Sequence, residues 1–425
     1  MRNGNTKKVK RINEETLLVT IDMGKVKHTG YYRFPDGAEG KIFEFSNSRN
    51  GFEDMWQRVC QAKKSRNLTE VIVGFEPTGP YAEPLLHFLR KRNVRLVQVN
   101  PFHTKRLKEL QGNSPSKTDQ KDPKVIADII ELGHALTVII PEGTAAELRR
   151  LTQARERGIQ RRSMLMSQGQ DLVFLIFPEF MPVMKDITTK STQYLLKHYP
   201  RPQDVVETGV ELLTQSLKKV SRGKLGKERA EALYQAAEAS VGLREGQESI
   251  VIEIKEIISV IENIERFVKE LEKHMSKHLK DIPYSRFILS IKGIGEITTA
   301  GLIGEIGDFR GYSTISEVIK HAGLDLFEIS SGKHKGTRRI SKRGRPLLRK
   351  LLFFASINVV RKGGILHQQY LQHLDKGMPK IKALIAISRK LLGIIFALVR
   401  DHSVYIDQYS EIQPLSEIQQ LKEAA

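Results

Sequence analysis

The N-terminal part of the chain alternates short runs of β-branched and aromatic residues with turn-forming residues. Glycine, lysine, proline and aspartate separate the first three runs, which is typical of an antiparallel meander. Two further strand-like runs follow, each preceded by apolar residues at helical spacing. The predicted elements, in order, are strands at 17–22, 29–34 and 41–47, a helix around 53–64, a strand at 71–76, a helix at 82–93 and a strand at 94–100.

This order of elements predicts an α/β domain of the ribonuclease H type over residues 16–140, after a basic tail at 1–15. Other α/β folds share parts of the same order, so the order alone does not decide the fold. In a ribonuclease H sheet, the first and fourth strands are adjacent and parallel. Residues that end these two strands should therefore emerge at the same edge.

The middle of the chain, 141–282, is predicted to be helical throughout. From residue 250 onward, apolar residues alternate at spacings of four and three, which is the heptad seam of a coiled coil. The partner is either the helix around 145–177 of the same chain or the same helix of a second chain. Residues 181–245 contain helical segments without a recognisable motif. The seam consists of Ile250, Ile254, Ile257, Ile261, Ile264, Val268, Leu271 and Met275.

The C-terminal region, 283–405, has a different character and is predicted to be mainly helical, with a tail at 406–425. Its run "FILSIKGIGEITTAGLIGEI" resembles a helix-hairpin-helix, in which Gly293 and Gly295 let backbone N–H groups approach a phosphate. The alternative is a packed helical turn. Residues 330–350 hold nine Lys or Arg and no acid. This density of positive charge predicts binding to a nucleic-acid backbone through counterion release.

Composition agrees with a polyanionic partner. The chain has 69 Lys and Arg against 49 Asp and Glu, an excess that favours nucleic acid. Apolar runs such as 391–399 are too short to span a bilayer, and no signal peptide follows the basic N-terminus, so we expect no membrane contact and a cytoplasmic location. Cys60 is the single cysteine, which excludes an internal disulfide and a multi-cysteine zinc site. Aromatic content is 7%, and no base-stacking platform is evident.

Four acidic residues occupy positions suited to a metal site. Asp22 ends the first predicted strand and Glu76 ends the fourth, while Asp119 and Asp122 follow the last strand. Because Pro123 disfavours a helical conformation for the residue before it and suits the first helical position, Asp122 is predicted to be the N-cap of a helix. Each acid alone could be a helix cap or a surface charge.

Gathered in one cleft, four carboxylates would repel one another unless divalent cations neutralised them. Oxygen ligands select hard ions, and Mg²⁺ or Mn²⁺ is expected beside substrate phosphates. Two such ions can assist phosphodiester cleavage. The four acids therefore predict a metal-dependent site for phosphoryl transfer.

Motifs from both ends of the chain carry a family resemblance. The runs "TIDMGK", "GFEPTGPYAEPLLHFL", "VNPFHTKRLKEL" and "KTDQKDPKVIAD" are followed by "IKGIGEITTAGLIGEIGDF" and "AGLDLFEISSGKHKGTRRISKRGRPLLRKLLFFAS". In this order they resemble DEDD-type insertion-sequence transposases, which pair a RuvC-like domain with a C-terminal serine-bearing domain, and are similar to Piv-type DNA invertases. The resemblance covers roughly 16–140 and 283–360.

The resemblance assigns roles to individual residues. It implies that Asp22, Glu76, Asp119 and Asp122 are the metal-binding and catalytic acids, and that Ser331, before Gly332, is the catalytic serine, with Ser330 directly preceding it. Pro123 departs from the family, which more often has alanine there. The cations around the serine are expected to bind nucleic acid, with Arg338 and Arg339 nearest to an active-site role; the full set is Lys333, Lys335, Arg338, Arg339, Lys342 and Arg343.

By resemblance, the expected function is transposition of an insertion sequence by DNA strand cleavage and rejoining, through a circular intermediate. The resemblance also implies a structured guide RNA from the element and dimers that assemble into a tetramer. Two alternatives stay open. One is a metal-dependent junction resolvase or DNA invertase without guide RNA, and the other is a nucleic-acid-binding protein without catalysis.

Overall fold

The computed structural model describes residues 13–77, 79–111, 122–138, 140–328, 336 and 338–406. Two compact units make up the chain. The first comprises Met1–Glu142, Ser290–Ile294 and Ile306–Ala425, and the second comprises Gly143–Leu289 and Gly295–Glu305. None of the helices in the described part is both long and apolar enough to cross a membrane.

A six-stranded sheet forms the N-terminal part of the first unit. Its strands lie in the order β3-β2-β1-β4-β5-β6, and β1 pairs in parallel with β4, as expected for the first and fourth strands. The short β6, which the sequence did not predict, pairs antiparallel with β5. The strands are β1 Thr16–Asp22, β2 Lys27–Arg33, β3 Phe43–Ser46, β4 Glu70–Phe75, β5 Arg95–Val99 and β6 Ala135–Thr137.

Helices cover both faces of this sheet. The residues of β1 alternate between two apolar layers, because side chains along a strand point to opposite faces. Leu17, Val19 and Ile21 pack in the layer that contains buried residues of α1 and α2, whereas Leu18 packs in the layer formed with α4. The helices of this part are α1 Arg49–Ser65, α2 Glu83–Arg90, α3 Pro101–Gln111 and α4 Asp122–Glu131.

The second unit is helical, as predicted for the middle of the chain. Its two long helices, α5 and α10, pack against each other over much of their length. Arg155 Nε lies 2.8 Å from Glu272 Oε1 and Arg162 Nη1 lies 3.5 Å from Glu265 Oε1, so the two helices run antiparallel. The helices are α5 Gly143–Ile176, α6 Phe180–Met184, α7 Lys190–His198, α8 Pro202–Ser221, α9 Lys227–Glu238, α10 Gln247–Leu279, α11 Ser285–Leu289 and α12 Glu296–Ile306.

The heptad seam of α10 therefore has a partner helix within the same chain. Ile254, Ile257, Ile261 and Ile264 are buried, as a seam requires. The unassigned residues 181–245 form helices that share an apolar core with α5 and α10; Leu195, Leu213 and Leu233 are fully buried in that core.

The C-terminal part of the first unit is mainly helical, with one small hairpin. The hairpin consists of β7 and β8, which are antiparallel. Helices α14 and α16 pack together, and the buried hydroxyls of Ser356 and Ser388 lie 2.8 Å apart between them. The elements are α13 Ile315–His321, β7 Leu326–Phe327, β8 Arg339–Ile340, α14 Pro346–Val359, α15 His367–Asp375 and α16 Lys380–Arg400.

Candidate active site

Asp22 and Glu76 lie at the same end of two adjacent parallel strands. Asp22 is the last residue of β1, and Glu76 directly follows β4. The register pairs Ile21 of β1 with Phe75 of β4, so the two acids are each one residue beyond a paired position. Both are half-buried. The predicted convergence of these two residues at one sheet edge is confirmed.

Strand alternation also places both acids on the sheet face that α4 covers. Two residues before them are Thr20 and Gly74, which are paired across the strands. The Thr20 hydroxyl donates to the Pro123 carbonyl at 2.6 Å, and a Cβ on Gly74 would lie 2.1 Å from Ile130 Cδ1 of α4. Because residues two apart on a strand share a face, the carboxylates belong to the α4 side.

Asp122 is the first residue of α4, so the predicted helix is present but begins one residue earlier than the predicted N-cap role of Asp122 requires. Proline suits the next position because no intrahelical partner is needed for its missing N–H, and Pro123 is buried. The Asp122 carboxylate is engaged by a lysine on α3, with Lys108 Nζ at 2.5 Å from Asp122 Oδ1. Lys108 is a component of this site that the sequence did not identify.

The complete group of four acids extends beyond the part that the structure describes, because Asp119 lies within 112–121. Among the described residues, no three or more His, Cys, Asp or Glu side chains are grouped closely enough to hold a metal ion. The structure thus brings Asp22, Glu76 and the start of α4 to one edge and one face of the sheet, and the four-carboxylate site stays a prediction.

A half-buried arginine, Arg33, holds α4 against the sheet. Arg33 of β2, 13% exposed, donates Nη1 to Asp128 Oδ1 at 2.9 Å and to Glu131 Oε2 at 2.7 Å. Its Nε donates to the Tyr31 hydroxyl at 3.0 Å, and Nη2 lies 3.3 Å from Glu39 Oε1. Burial opposes the charge, yet these partners raise the pKa of Arg33, while burial raises the pKa of Tyr31 to about 12.

The predicted serine lies between β7 and β8 in the sequence. Ser331, with Ser330, Lys333 and Lys335, falls within 329–335, outside the described residues. The flanking residues are described: Arg338 Nε donates to Glu328 Oε2 at 2.9 Å, and Arg339 pairs with Phe327 across the hairpin. Arg338 and Arg339 are both exposed, so their predicted contact with nucleic acid is sterically open.

Beyond β8, two more predicted cations follow. Lys342 is exposed and has a φ of 55°, and its backbone N–H donates to the Gly323 carbonyl at 3.0 Å. Arg343 is also exposed, and its guanidinium carbon lies 4.4 Å from the centre of the Phe102 ring on α3. This contact joins the C-terminal part of the first unit to the helix that follows β5.

Phe102 is an exposed aromatic residue that was not predicted from the sequence as a surface for stacking bases. Phe102 is 43% exposed, and a second guanidinium, that of Arg106, lies 5.5 Å from the centre of its ring. The neighbouring His103 stacks on His134 with ring centres 5.3 Å apart. Burial, together with the charges of His134 and Arg343, lowers the pKa of His103. The signal was present in "PFHTKR", where an aromatic residue is followed closely by cations.

The two glycines of the predicted helix-hairpin-helix lie in the turn between α11 and α12. Gly293 has a φ of +98°, which a residue with a side chain rarely adopts. Both Gly293 and Gly295 are exposed, and a Cβ on Gly295 would meet open space. The turn is accessible to a ligand, and its contact with phosphate stays a prediction.

Comparison with known proteins identifies the family. Residues 19–178 match the DEDD transposase family of IS110 elements, and residues 285–371 match the family "Transposase IS116/IS110/IS902". The chain belongs to the IS110/IS116 family of transposases. The first match contains all four predicted acids of the transposase, and the second contains Gly293, Gly295 and Ser331.

Relatives support the same assignment along nearly the whole transposase. An uncharacterized 44.8 kDa protein of insertion element IS116 from Streptomyces clavuligerus is 24% identical, over 92% of this chain and 96% of its own length. An uncharacterized protein of insertion element IS110 from Streptomyces coelicolor is 20% identical over 91% and 94%. The transposase of insertion element IS1328 from Yersinia enterocolitica is 34% identical over 20% of this chain and 25% of its own.

Proposed function

We propose that this transposase cuts and rejoins DNA with two cooperating groups, the acids of a RuvC-like, ribonuclease H-type domain and the serine beside the β7–β8 hairpin. The observation that carries the proposal is the placement of Asp22 and Glu76 at adjacent parallel strand ends, on the face where α4 begins with Asp122. Carboxylates at converging strand ends are suited to binding a hard cation beside a phosphodiester.

The donor set fits Mg²⁺ or Mn²⁺ because it consists of carboxylate oxygens alone. Asp22, Glu76, Asp119 and Asp122 would hold the ions. Bound there, the cations would stabilise the negative charge that develops on a phosphate during strand cleavage. Lys108, now paired with Asp122, would turn toward the phosphate as the carboxylate binds metal.

The Ser331 hydroxyl would act as the nucleophile. Its Oγ forms a bond to the DNA phosphorus while one P–O ester bond of the DNA breaks, and the departing DNA oxygen takes up a proton. The resulting phosphoserine is still a diester, so a hydroxyl on another DNA end can displace the serine and restore a DNA phosphodiester without a nucleotide cofactor. The neighbouring cations, including Arg338 and Arg339, would stabilise charge on the phosphoryl oxygens.

The proposed partners are DNA and a structured guide RNA encoded by the element, and the proposed assembly is a dimer or tetramer in the cytoplasm. The large excess of Lys and Arg over Asp and Glu supports binding to nucleic acid. The exposed Arg338, Arg339, Lys342 and Arg343 supply cations on one segment for a phosphate backbone.

The serine proposal is tested by trapping the covalent intermediate. Full-length protein is incubated with Mg²⁺ and DNA carrying the ends of its element, and adducts that survive SDS are counted. Ser331→Ala should abolish the adduct, whereas the adjacent Ser330→Ala should retain it. Asp22→Asn and Glu76→Gln should lose the adduct while keeping DNA binding. An adduct that persists in Ser331→Ala and disappears in Ser330→Ala would move the role to Ser330.

Trapping of the covalent adduct also distinguishes the proposed transposase from a metal-dependent resolvase. A metal-dependent resolvase cuts with water, so wild-type protein would yield cleaved DNA without any adduct. For RNA guidance, the protein is purified from cells that carry the whole element, and the bound RNA is sequenced. A discrete RNA from the element's non-coding end supports guidance, and recovery of random fragments alone would contradict it.

A further inference from the structure

A small cavity lies beneath the β7–β8 hairpin, in the C-terminal part of the first unit. Its volume is about 280 Å³. Side chains from the hairpin region, α14 and α16 line the cavity. A space of this size accommodates one small planar group and excludes a base-paired duplex.

The lining has two chemical characters. Leu324, Ile340 and Phe353 supply apolar surface, and Phe353 is a half-buried aromatic ring. Lys342, Arg349 and Lys350 supply positive charge. The residues that the structure places around this cavity include no Asp or Glu, so its charge complements an anion.

Arg349 is the most constrained of these cations. Its Nη1 donates to the Ala322 carbonyl at 2.9 Å, and a Cβ on Gly323 would lie 2.7 Å from the same nitrogen. Burial lowers the pKa of Arg349, and within the described residues no carboxylate forms an ion pair with it. A partly desolvated guanidinium without a counter-charge is stabilised by an anionic ligand.

The acid that directly follows the lining residue Leu324 is already engaged. Asp325 accepts hydrogen bonds from the Ser341 hydroxyl, through its carboxylate, and from the Ser341 backbone N–H, at 2.8 Å, through its carbonyl. These bonds hold the two sides of the hairpin together at its base. Asp325 is therefore not a counter-charge for Arg349 in the described part of the chain.

We propose that this cavity is a subsite for a single unpaired nucleotide of a nucleic-acid strand, with the base against Phe353 and the phosphate on Arg349 and Lys342. Aromatic stacking combined with cationic contacts is how proteins hold unpaired bases. The inference rests on the proposed function in one respect: a nucleotide bound under the hairpin would hold its strand beside the segment that carries Ser331.

The test measures binding to full-length protein at physiological ionic strength, independently of strand cleavage. Three probes are compared: a fluorescent eight-nucleotide oligothymidylate, an abasic deoxyribose-phosphate strand of equal length, and thymidine monophosphate as a competitor. Wild-type protein should bind the oligothymidylate at least fivefold more tightly than the abasic strand, because base stacking contributes about 1–3 kcal/mol per base. Phe353→Leu should remove this preference, while Arg349→Gln and Lys342→Gln should weaken both strands severalfold.

Controls separate local effects from charge and folding. Arg400→Gln removes one positive charge at an exposed position and should leave the preference for bases unchanged, and thermal unfolding checks that each variant is folded. Equal binding of the two strands by wild type, or an unaltered preference in folded Phe353→Leu, would overturn the proposal. Competition by thymidine monophosphate as strong as by the oligonucleotide would assign the cavity to a free nucleotide instead. Failure of the serine proposal is seen separately, because it concerns only the covalent adduct.

Discussion

Removing the guanidinium of Arg33 should loosen α4 from the sheet. Arg33→Met replaces arginine with an apolar side chain of similar length and removes the four polar contacts that the guanidinium makes. Its two main partners are Asp128 and Glu131, at 2.9 and 2.7 Å from Nη1, and the arginine is 13% exposed. Hydrogen bonds to charged groups contribute about 1.5–3 kcal/mol each when buried.

The carboxylates reach solvent, which reduces this contribution. Asp128 is 28% exposed and Glu131 is 41% exposed, so water can solvate both after the substitution. We therefore expect the network as a whole to contribute about 2–3 kcal/mol. The free energy of opening of α4 should fall by that amount, which corresponds to amide hydrogen exchange about 30- to 140-fold faster in its peptides.

Hydrogen exchange followed by mass spectrometry is the suitable assay, because it reports on α4 without requiring two-state unfolding of a chain with two units. Arg66→Met is the matched control. The side chains of Arg66 and Asp36, which form an exposed ion pair, are 45% and 52% exposed, so amide hydrogen exchange of α4 should change by no more than about twofold in this variant. If Arg33→Met accelerates exchange of α4 no more than the control does, the Arg33 contacts do not anchor the helix and the reasoning is refuted.

Two further predictions concern charge at the site and the protonation of His28 and His103. Lys108→Gln should raise the affinity of the protein for Mn²⁺ about two- to fivefold, because the substitution frees Asp122 from an ion pair that contributes about 0.5–1 kcal/mol. Calorimetry measures this affinity, and Lys105→Gln on the same helix is the control. Unchanged or weaker affinity in Lys108→Gln would contradict the prediction. Burial lowers the pKa of His28 and of His103, so the unfolded chain binds protons more readily and stability should decline as pH falls from about 6.5, the ordinary histidine value. Urea unfolding at pH 7.5 and 5.5 measures this decline, which His103→Asn should reduce; an identical decline in the variant would exclude His103 as a source.

The sequence predicted the parts of the fold in which one local pattern extends over several residues. Strands β1 and β4 are rich in apolar residues because both of their faces are largely buried, and their adjacency follows from the order of elements. The seam of α10 predicted a partner helix but could not choose it, since a seam records only that its face is covered. The structure supplies α5 of the same chain.

Short strands and long-range polar contacts were beyond sequence reasoning. Strands β6 and β8 have three and two residues, too few for alternation to be recognised. Arg33 and Lys108 carry no local sign of their roles, because their partners on α4 come near only once the helix packs. The convergence of Asp22 and Glu76 was predictable because the ends of adjacent parallel strands meet at one edge. The pairing of Lys108 with Asp122 and of Arg33 with Asp128 and Glu131 depends on tertiary structure.

Contacts that depend on tertiary structure also limit how far DNA binding can be predicted from the number of charged residues. Residues 330–350 contain nine Lys or Arg, and each would add one phosphate contact if all lay open on a surface. In the structure, Arg338 is paired with Glu328, Arg343 lies over Phe102 and Arg349 faces a cavity. Arg338 and Arg343 already contact other side chains, so nucleic acid that binds them must exchange those contacts rather than only release counterions, whereas Arg349 is open to a ligand only through the cavity. Cations that exchange partners stabilise binding less than exposed ones but respond to the position of the strand, which would suit a segment that carries the proposed nucleophile.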